Sequence, residues 1–298
     1  MTRRVVVTGA SSFLGAHLVR ALERAGHDVV AVVNRTPLKL TASPSRVVAM
    51  DLAAPGAGTA LAGLDPACVV HLAMKLSDPA ANDRMLGAVL EGARLAAATV
   101  VHASTTQVGW AQPSAYGLGR KREEEVVAAA GLPFVILRPC APYGPRLPDH
   151  APGHTESFHR LAEVVRRGLL VPVIGDGSAL RQPVHVDDWN GVIAGFVARD
   201  RLPGRAFDVG GPRAWPVRAL IDKMALAAGT AVRVVGIPVP LAAFAARFLQ
   251  GLPPDVVRAF PNDDVADPAD VAAELGKADW IRFEQGAHDL FGVPWRNA

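Results

Sequence analysis

The sequence predicts an α/β fold, a doubly wound parallel sheet with a smaller C-terminal domain beside it. Three observations carry this. Valine-rich runs alternate with helical stretches through the first half of the chain. The first run leads straight into a glycine-spaced turn and a helix. After Arg138-Pro139 the texture changes, with Pro142, Pro145, Pro148 and Pro152 punctuating a histidine-bearing loop before a proline-rich final third.

The first run, Val5-Val6-Val7-Thr8, supplies three β-branched residues for a buried strand. Gly9 lets the chain turn sharply, and Gly15 lets the next helix, read as His17 to Ala25 and ended by Gly26, pack close to the sheet. Free N–H groups at that helix start, with the helix dipole, favour a pyrophosphate by up to roughly 2 kcal/mol. Gly9, Ser11, Ser12, Phe13, Leu14 and Gly15 would surround it, with Ser12 where the usual fingerprint has its middle glycine. The spacing alone is weak, and an ordinary strand-to-helix turn is the alternative. The strand before and the helix after give it weight as a Rossmann-type dinucleotide turn.

The following runs are Val29–Val33, Val47–Met50, Val69–Leu72, Val100–Ala103 and Pro133–Leu137. Ligands of such sheets bind beyond the carboxyl ends of the strands, so the residues after each run are the ones to read for chemistry. After the second run comes Asn34-Arg35-Thr36, with no acid to grip ribose hydroxyls. A guanidinium there binds a 2′-phosphate in a charge-assisted fork, so the expected cofactor is NADP (NADPH); a solvent arginine is the alternative. Asp51, closing the third run, is placed for the adenine amino group or as a turn cap, with Leu52 beside it.

Bulk properties exclude several classes. The 298 residues, 50% of them apolar, suffice for a substantial core. A net charge of +3, from 31 basic and 28 acidic residues of mixed order, gives no sign of nucleic-acid binding. No stretch is long and apolar enough to span a bilayer, and the valines after Met-Thr-Arg-Arg lack a signal-peptide pattern. Leu241 to Leu252 is expected to form a core or substrate-wall helix. Cys68 and Cys140 lie far apart, which suits a reducing cytoplasm, and no metal site is expected. His150, His154 and His159 lack zinc spacing and are placed at the pocket rim; His71 and His102 fall in buried strands.

Together these motifs make the chain resemble, nearly end to end, an extended short-chain dehydrogenase/reductase of the NAD-dependent epimerase/dehydratase family. The resemblance rests on Thr8-Gly9 to Gly15, Asp51-Leu52, His71-Leu72-Ala73, Ser104-Thr105-Thr106 with Val108, Tyr116, Arg138-Pro139 and Tyr143-Gly144-Pro145. Gly175-Asp176-Gly177, Arg181, His185-Val186-Asp187-Asp188 and Val209-Gly210-Gly211-Pro212 extend it. It implies that residues 1–145 with 182–211 bind the cofactor and that 146–181 with 212–298 form a substrate domain. It places Leu72, Ala73, Met74 and Ala103 along the cofactor and Pro139-Cys140-Ala141 beneath the nicotinamide. It makes Thr105 the hydroxyl that polarises a carbonyl and Tyr116 the residue that moves the proton. Thr106, Met74, Tyr143 and Arg181 fall to the substrate, Arg181 through a nucleotide-sugar diphosphate or else as a salt-bridge partner of Asp187 or Asp188. If the strand stays regular, alternation puts Ser104 and Thr106 opposite Thr105, with Thr106 as the fallback.

The chain departs from the family beside the tyrosine. Arg120 stands four residues after Tyr116 where the family has lysine, and Lys121 comes one place late, rotated off the tyrosine's face. A free phenol titrates near pH 10, so a tyrosine base at neutrality needs roughly 4 kcal/mol of added preference for phenolate. Arg120 supplies charge but not a lysine's compact ammonium. Oxidation, which needs the phenolate, should suffer more than reduction. Thr106 and Gln107, where the dehydratases have two acids, and Arg84, where an asparagine is common, also depart.

The expected function is therefore NADPH-dependent reduction of a small-molecule ketone. The atypical dyad resembles that of aromatic-polyketide ketoreductases. The alternatives are a nucleotide-sugar epimerase or 4-ketoreductase, and a non-catalytic NADP sensor. Family members often pair through cofactor-domain helices, so a homodimer is expected.

Overall fold

A computed structural model describes residues 2–41, 43, 45–76, 78–111, 113–248 and 254–295. Seven strands form one parallel sheet: β1 (Arg4–Thr8), β2 (Asp28–Val33), β3 (Arg46–Ala49), β4 (Cys68–His71), β5 (Thr99–Ala103), β6 (Phe134–Pro139) and, after two short outlying strands, Ala206–Val209. The outlying strands are β7 (Leu170–Ile174) and β8 (Leu180–Arg181), which makes Ala206–Val209 β9. The sheet order is β3-β2-β1-β4-β5-β6-β9. Chain order reverses beside β1, the switch point outside which such sheets bind ligands. Helices α1 (Phe13–Arg24), α2 (Ala57–Ala62), α3 (Pro79–Leu95), α4 (Ala115–Ala129), α5 (Ser157–Arg166), α6 (Val186–Val197) and α7 (Val217–Ala228) follow in sequence.

All six anticipated runs are strands, within two residues at each end. Parity assigns their faces. Val5, Val7 and Val70 pack with Leu18, Trp189 and Phe196 of α1 and α6, whereas Val6, Val69 and Val100 pack with Met85, Leu86 and Val127 of α3 and α4. Covered on both faces, these strands read as near-continuous valine runs rather than alternating ones. Each fully buried Val or Leu contributes about 1.5–3 kcal/mol against exposure.

Three expectations are corrected. Helix α1 begins at Phe13, not His17, because the Ser12 hydroxyl caps it, accepting from the Gly15 N–H at 3.0 Å. The β2–β3 connection is loop throughout its described residues rather than a helical crossover. The Leu241–Leu252 run forms a helix only over Val239–Ala245 and a 3-10 turn over Ala246–Phe248, burying Ala243 and Ala246 while Leu241 and Phe244 stay more than half exposed. It is therefore no core helix, and residues 249–252 lie outside the described residues.

A third core, built from Tyr143, Phe158, Val171, Leu220, Ile221, Met224 and Phe283, organises the C-terminal region. There β7 pairs with β11 (Arg233–Ile237) and β8 with β10 (Trp215–Pro216). Among the described residues no helix is long and apolar enough to cross a membrane.

Candidate active site

The turn after β1 is built for close approach. Gly9 has φ +68°, and a Cβ there would sit 2.7 Å from the Ala73 backbone nitrogen; one at Gly15 would meet the Gly9 carbonyl oxygen at 2.2 Å. Ser12 N–H donates back to the Gly9 carbonyl at 2.9 Å. The N–H groups of Phe13 and Leu14 have no hydrogen-bond partner among the described residues. Two free donors at a helix start, above glycines that admit no side chain, fit the pyrophosphate of a dinucleotide. The Phe13 side chain itself is buried, edge-on to His17 and His159 with ring centres 4.9 and 4.8 Å apart.

Beyond β2, Asn34 and Arg35 are exposed, and Arg35 has no ion-pair or hydrogen-bond partner among the described residues. Asp51 accepts from the Ala53 N–H at 3.0 Å, closing a turn, while the Leu52 side chain lies in the core under the sheet. The loop after β6 reaches over this end. His150 donates to the Ser11 carbonyl at 3.0 Å, and Asp149 accepts from Arg20 at 2.9 Å and from the Thr41 backbone. Hydrogen bonds from Thr41 bring the Asp149 carboxyl down to about 2. Loop and helix enclose a cavity of about 170 Å³ lined by Phe13, His17, Arg146, His150 and His159. Each of these three histidines is bound to a backbone carbonyl, and among the described residues no cluster suits a metal ion. His154 is exposed. Just beyond the loop, burial pushes the Glu156 carboxyl up to about 7.

Strand β5 ends at Ala103, and a 3-10 turn runs over Thr106–Gly109, so strict alternation does not extend through Ser104-Thr105-Thr106. Each hydroxyl has a different environment. Ser104 donates to Glu124 at 2.5 Å, and Glu124 is held in turn by the Arg138 fork at 2.9 and 2.6 Å. Thr106 donates to Asp264 at 2.5 Å. Thr105 caps the turn by accepting from the Gln107 N–H at 3.3 Å, which leaves its own proton without a protein acceptor among the described residues. Asp264 had no signal in the sequence; it reaches the site from the far C-terminal region and also accepts from Trp110 Nε1 at 3.3 Å.

Helix α4 starts against this turn. Ser114 caps it by accepting from the Gly117 N–H and donates to the Gln107 side chain, both at 3.2 Å. Tyr116 is half-buried in the first turn. One turn on, Arg120 is buried on the same face and its guanidinium carbon lies 5.6 Å from the tyrosine ring centre, whereas Lys121 is exposed. Burial alone would lower the Arg120 pKa, but Tyr116 and Glu123 outweigh it and the guanidinium is held more firmly protonated. Glu123, at i+3, had a legible spacing but no assigned role.

The remaining floor residues divide. Leu72, Ala73, Met74, Ala103, Pro139 and Ala141 are half-buried at the strand ends, with Ala141 at φ +42°. Cys140 is fully buried and its thiol donates to the Asp264 carbonyl at 3.0 Å, so only its backbone is available to a nicotinamide. Burial drives that thiol's pKa well up.

Two expected substrate residues lie elsewhere. Tyr143 is fully buried in the third core among Phe158, His185 and Phe283, which leaves its phenol no path to a substrate. Arg181 donates to the carbonyls of Leu180 and Asn262, both at 2.7 Å, and of Phe260 at 2.6 Å. It forms no salt bridge to Asp187 or Asp188; Asp188 pairs with Lys277 at 2.9 Å. His185 caps α6 and reaches Asp289 at 3.1 Å, a structural role. Arg84 is exposed on α3.

The profile of the NAD dependent epimerase/dehydratase family matches residues 5–210. The chain is 29% identical over 204 residues to the ceramide reductase of Caulobacter vibrioides, a match spanning 64% of this chain and 60% of that protein. It is 28% identical over 256 residues to the 2′-dehydrokanamycin reductase of Streptomyces kanamyceticus, spanning 81% of this chain and 71% of the relative. In fold it is similar to Thermus thermophilus UDP-glucose 4-epimerase, solved in complex with NAD, at a TM-score of 0.77 and 23% identity, covering 97% and 98% of the two chains.

Proposed function

Because the chain belongs to the NAD dependent epimerase/dehydratase family and is an NAD(P)-dependent enzyme of oxidoreductase type, we propose that it is an NADPH-dependent ketoreductase acting on a small-molecule ketone. The observation that carries this reading is the division of hydroxyls after β5. Ser104 and Thr106 are committed to Glu124 and Asp264, and Thr105 alone keeps a proton to offer. A carbonyl oxygen held by Thr105 gains a donor that strengthens as negative charge develops on it. A bound NADPH would supply hydride to the carbonyl carbon, and Tyr116 would give its proton to the oxygen and be reprotonated by solvent.

In this reading Gly9, Ser11, Ser12, Phe13, Leu14 and Gly15 cradle the pyrophosphate, and Asn34 and Arg35 take the adenosine 2′-phosphate. Asp51 and Leu52 border the adenine. Leu72, Ala73, Met74, Ala103, Pro139, Ala141 and the Cys140 backbone line the nicotinamide half. Residues 1–145 with 182–211 serve the cofactor; 146–181 with 212–298 serve the substrate. The enzyme acts in the cytoplasm, and we assign it a secondary-metabolite ketone as substrate.

A nucleotide-sugar epimerase is the second reading, favoured by the fold neighbour. Against it stands Arg181, whose guanidinium already serves three carbonyls. Following NADPH oxidation over a panel of aromatic and alicyclic ketones tests the proposal. Consumption that disappears in Thr105→Ala supports it. Purified protein that retains NAD, epimerises nucleotide sugars and reduces no ketone would replace it with the second reading.

A further inference from the structure

Below Tyr116, α4 and the sheet bury a line of ionisable groups. Arg120 Nη1 lies 2.5 Å from Glu123 Oε2, with side chains only 7% and 6% exposed. The groups facing Arg120 are Tyr116 and Glu123 from α4, His71 from β4 and His102 from β5. His102 Nε2 stands 3.6 Å from the same Glu123 oxygen, and its ring stacks on His71 at 5.6 Å. Burial lowers His71 to about 3 and His102 well below the usual histidine range, so both rings are neutral at working pH. His102 has no hydrogen-bond partner on either nitrogen among the described residues. Among the described residues the cluster therefore holds one cation and one anion in direct contact, and the next charges along, Glu124 of α4 and Arg138 of β6, are paired with each other at 2.6 Å.

A lone buried cation one helical turn from a phenol favours phenolate; a cation in contact with a carboxylate presents a dipole, whose field falls off much faster. We propose that Glu123 is a positioning residue that pins Arg120 and cancels most of its field at Tyr116. This rests on Tyr116 as the proton donor of the reading above. Glu123 touches neither substrate nor cofactor and acts through Arg120.

The test needs no substrate. The chain has two tyrosines, and burial holds the Tyr143 phenol well above its ordinary value. In protein labelled with carbon-13 at the tyrosine Cζ, NMR therefore follows Tyr116 alone, assigned by its loss in Tyr116→Phe. In Glu123→Gln the Arg120 charge is uncovered, and the Tyr116 resonance should titrate about one pH unit lower than in wild type, a tenfold loss of proton affinity. If that variant does not fold, the double variant Arg120→Met/Glu123→Leu decides. Removing a mutually cancelled pair should leave the Tyr116 titration within a few tenths of a unit of wild type. No downward shift in Glu123→Gln, or an upward shift of about a unit in the double variant, would show that Arg120 acts unscreened and would overturn the proposal. Failure to find a reducible ketone would count against the reductase reading and leave these titrations unchanged.

Discussion

The Thr106 hydroxyl donates to the Asp264 carboxylate at 2.5 Å, joining the turn after β5 to a residue 158 positions later in the chain. The same carboxylate takes the Trp110 indole N–H at 3.3 Å, and the Asp264 carbonyl takes the Cys140 thiol proton at 3.0 Å. One buried aspartate thus fixes the turn that presents Thr105, the side chain under Pro139–Ala141, and the loop at residues 260–264.

Removing that carboxylate should release Thr106 and Trp110, while the Cys140 bond to the backbone carbonyl remains. Hydrogen bonds to a charged group are worth about 1.5–3 kcal/mol, and of the partners left behind Thr106 is buried and Trp110 half-buried. Asp264→Ala should lose stability of that order in urea unfolding. A double-mutant cycle with Thr106→Val should show a coupling near 1–2 kcal/mol. Additive effects would mean that the contact contributes nothing.

Thr105 and Thr106 should behave differently in turnover. Thr105→Ala and Tyr116→Phe each remove a group that meets the developing oxyanion, so kcat should drop roughly 10²–10⁴-fold while Thr105→Ser keeps most activity. Thr106→Ala should act mainly on stability. Steady-state kinetics of the four variants check this, and a larger kcat loss in Thr106→Ala than in Thr105→Ala would move the catalytic hydroxyl to Thr106.

Arg181→Met should lower stability and leave substrate affinity alone, since its guanidinium serves the 260–262 loop. Thermal unfolding and KM, measured together, separate the two. A KM raised tenfold at unchanged Tm would restore a substrate role.

Glu156 supplies a pH dependence. In the unfolded chain it loses its proton near the ordinary carboxylate value, whereas burial keeps it protonated up to about 7 in the fold. Between those values the native state binds the extra proton, so stability falls as pH rises through that window. Glu156→Gln should flatten this slope and raise Tm at neutral pH. An unchanged slope in thermal melts from acid to neutral pH would assign the effect to other groups.

Local pattern made much of this molecule legible. The valine runs of β1, β2, β4 and β5 are strands whose burial on both faces demands apolar, β-branched residues, whereas edge strand β3 stays largely exposed. Gly9 and Gly15 stand where a Cβ would strike backbone. The period of 3.6 residues separates buried Arg120 from exposed Lys121. What stayed hidden depends on distant partners. Tyr143 became a core residue through Phe283, and Arg181 a loop tether through Phe260 and Asn262. Asp264 meets Thr106 only once the C-terminal region has folded back over the sheet. Nothing in a sequence window around these residues announces such contacts. The early start of α1 came from Ser12, which reads equally well as a loop residue or a cap.

The cofactor claim is the most exposed. Arg35 lies at the carboxyl end of β2 with no ion-pair or hydrogen-bond partner among the described residues. Calorimetric titration of wild type and Arg35→Ala with NADPH and NADH tests it most directly. Wild type should bind NADPH at least tenfold more tightly than NADH, about 1.4 kcal/mol or more, and Arg35→Ala should lose that margin without weakening NADH. Equal or tighter binding of NADH by wild type would contradict it.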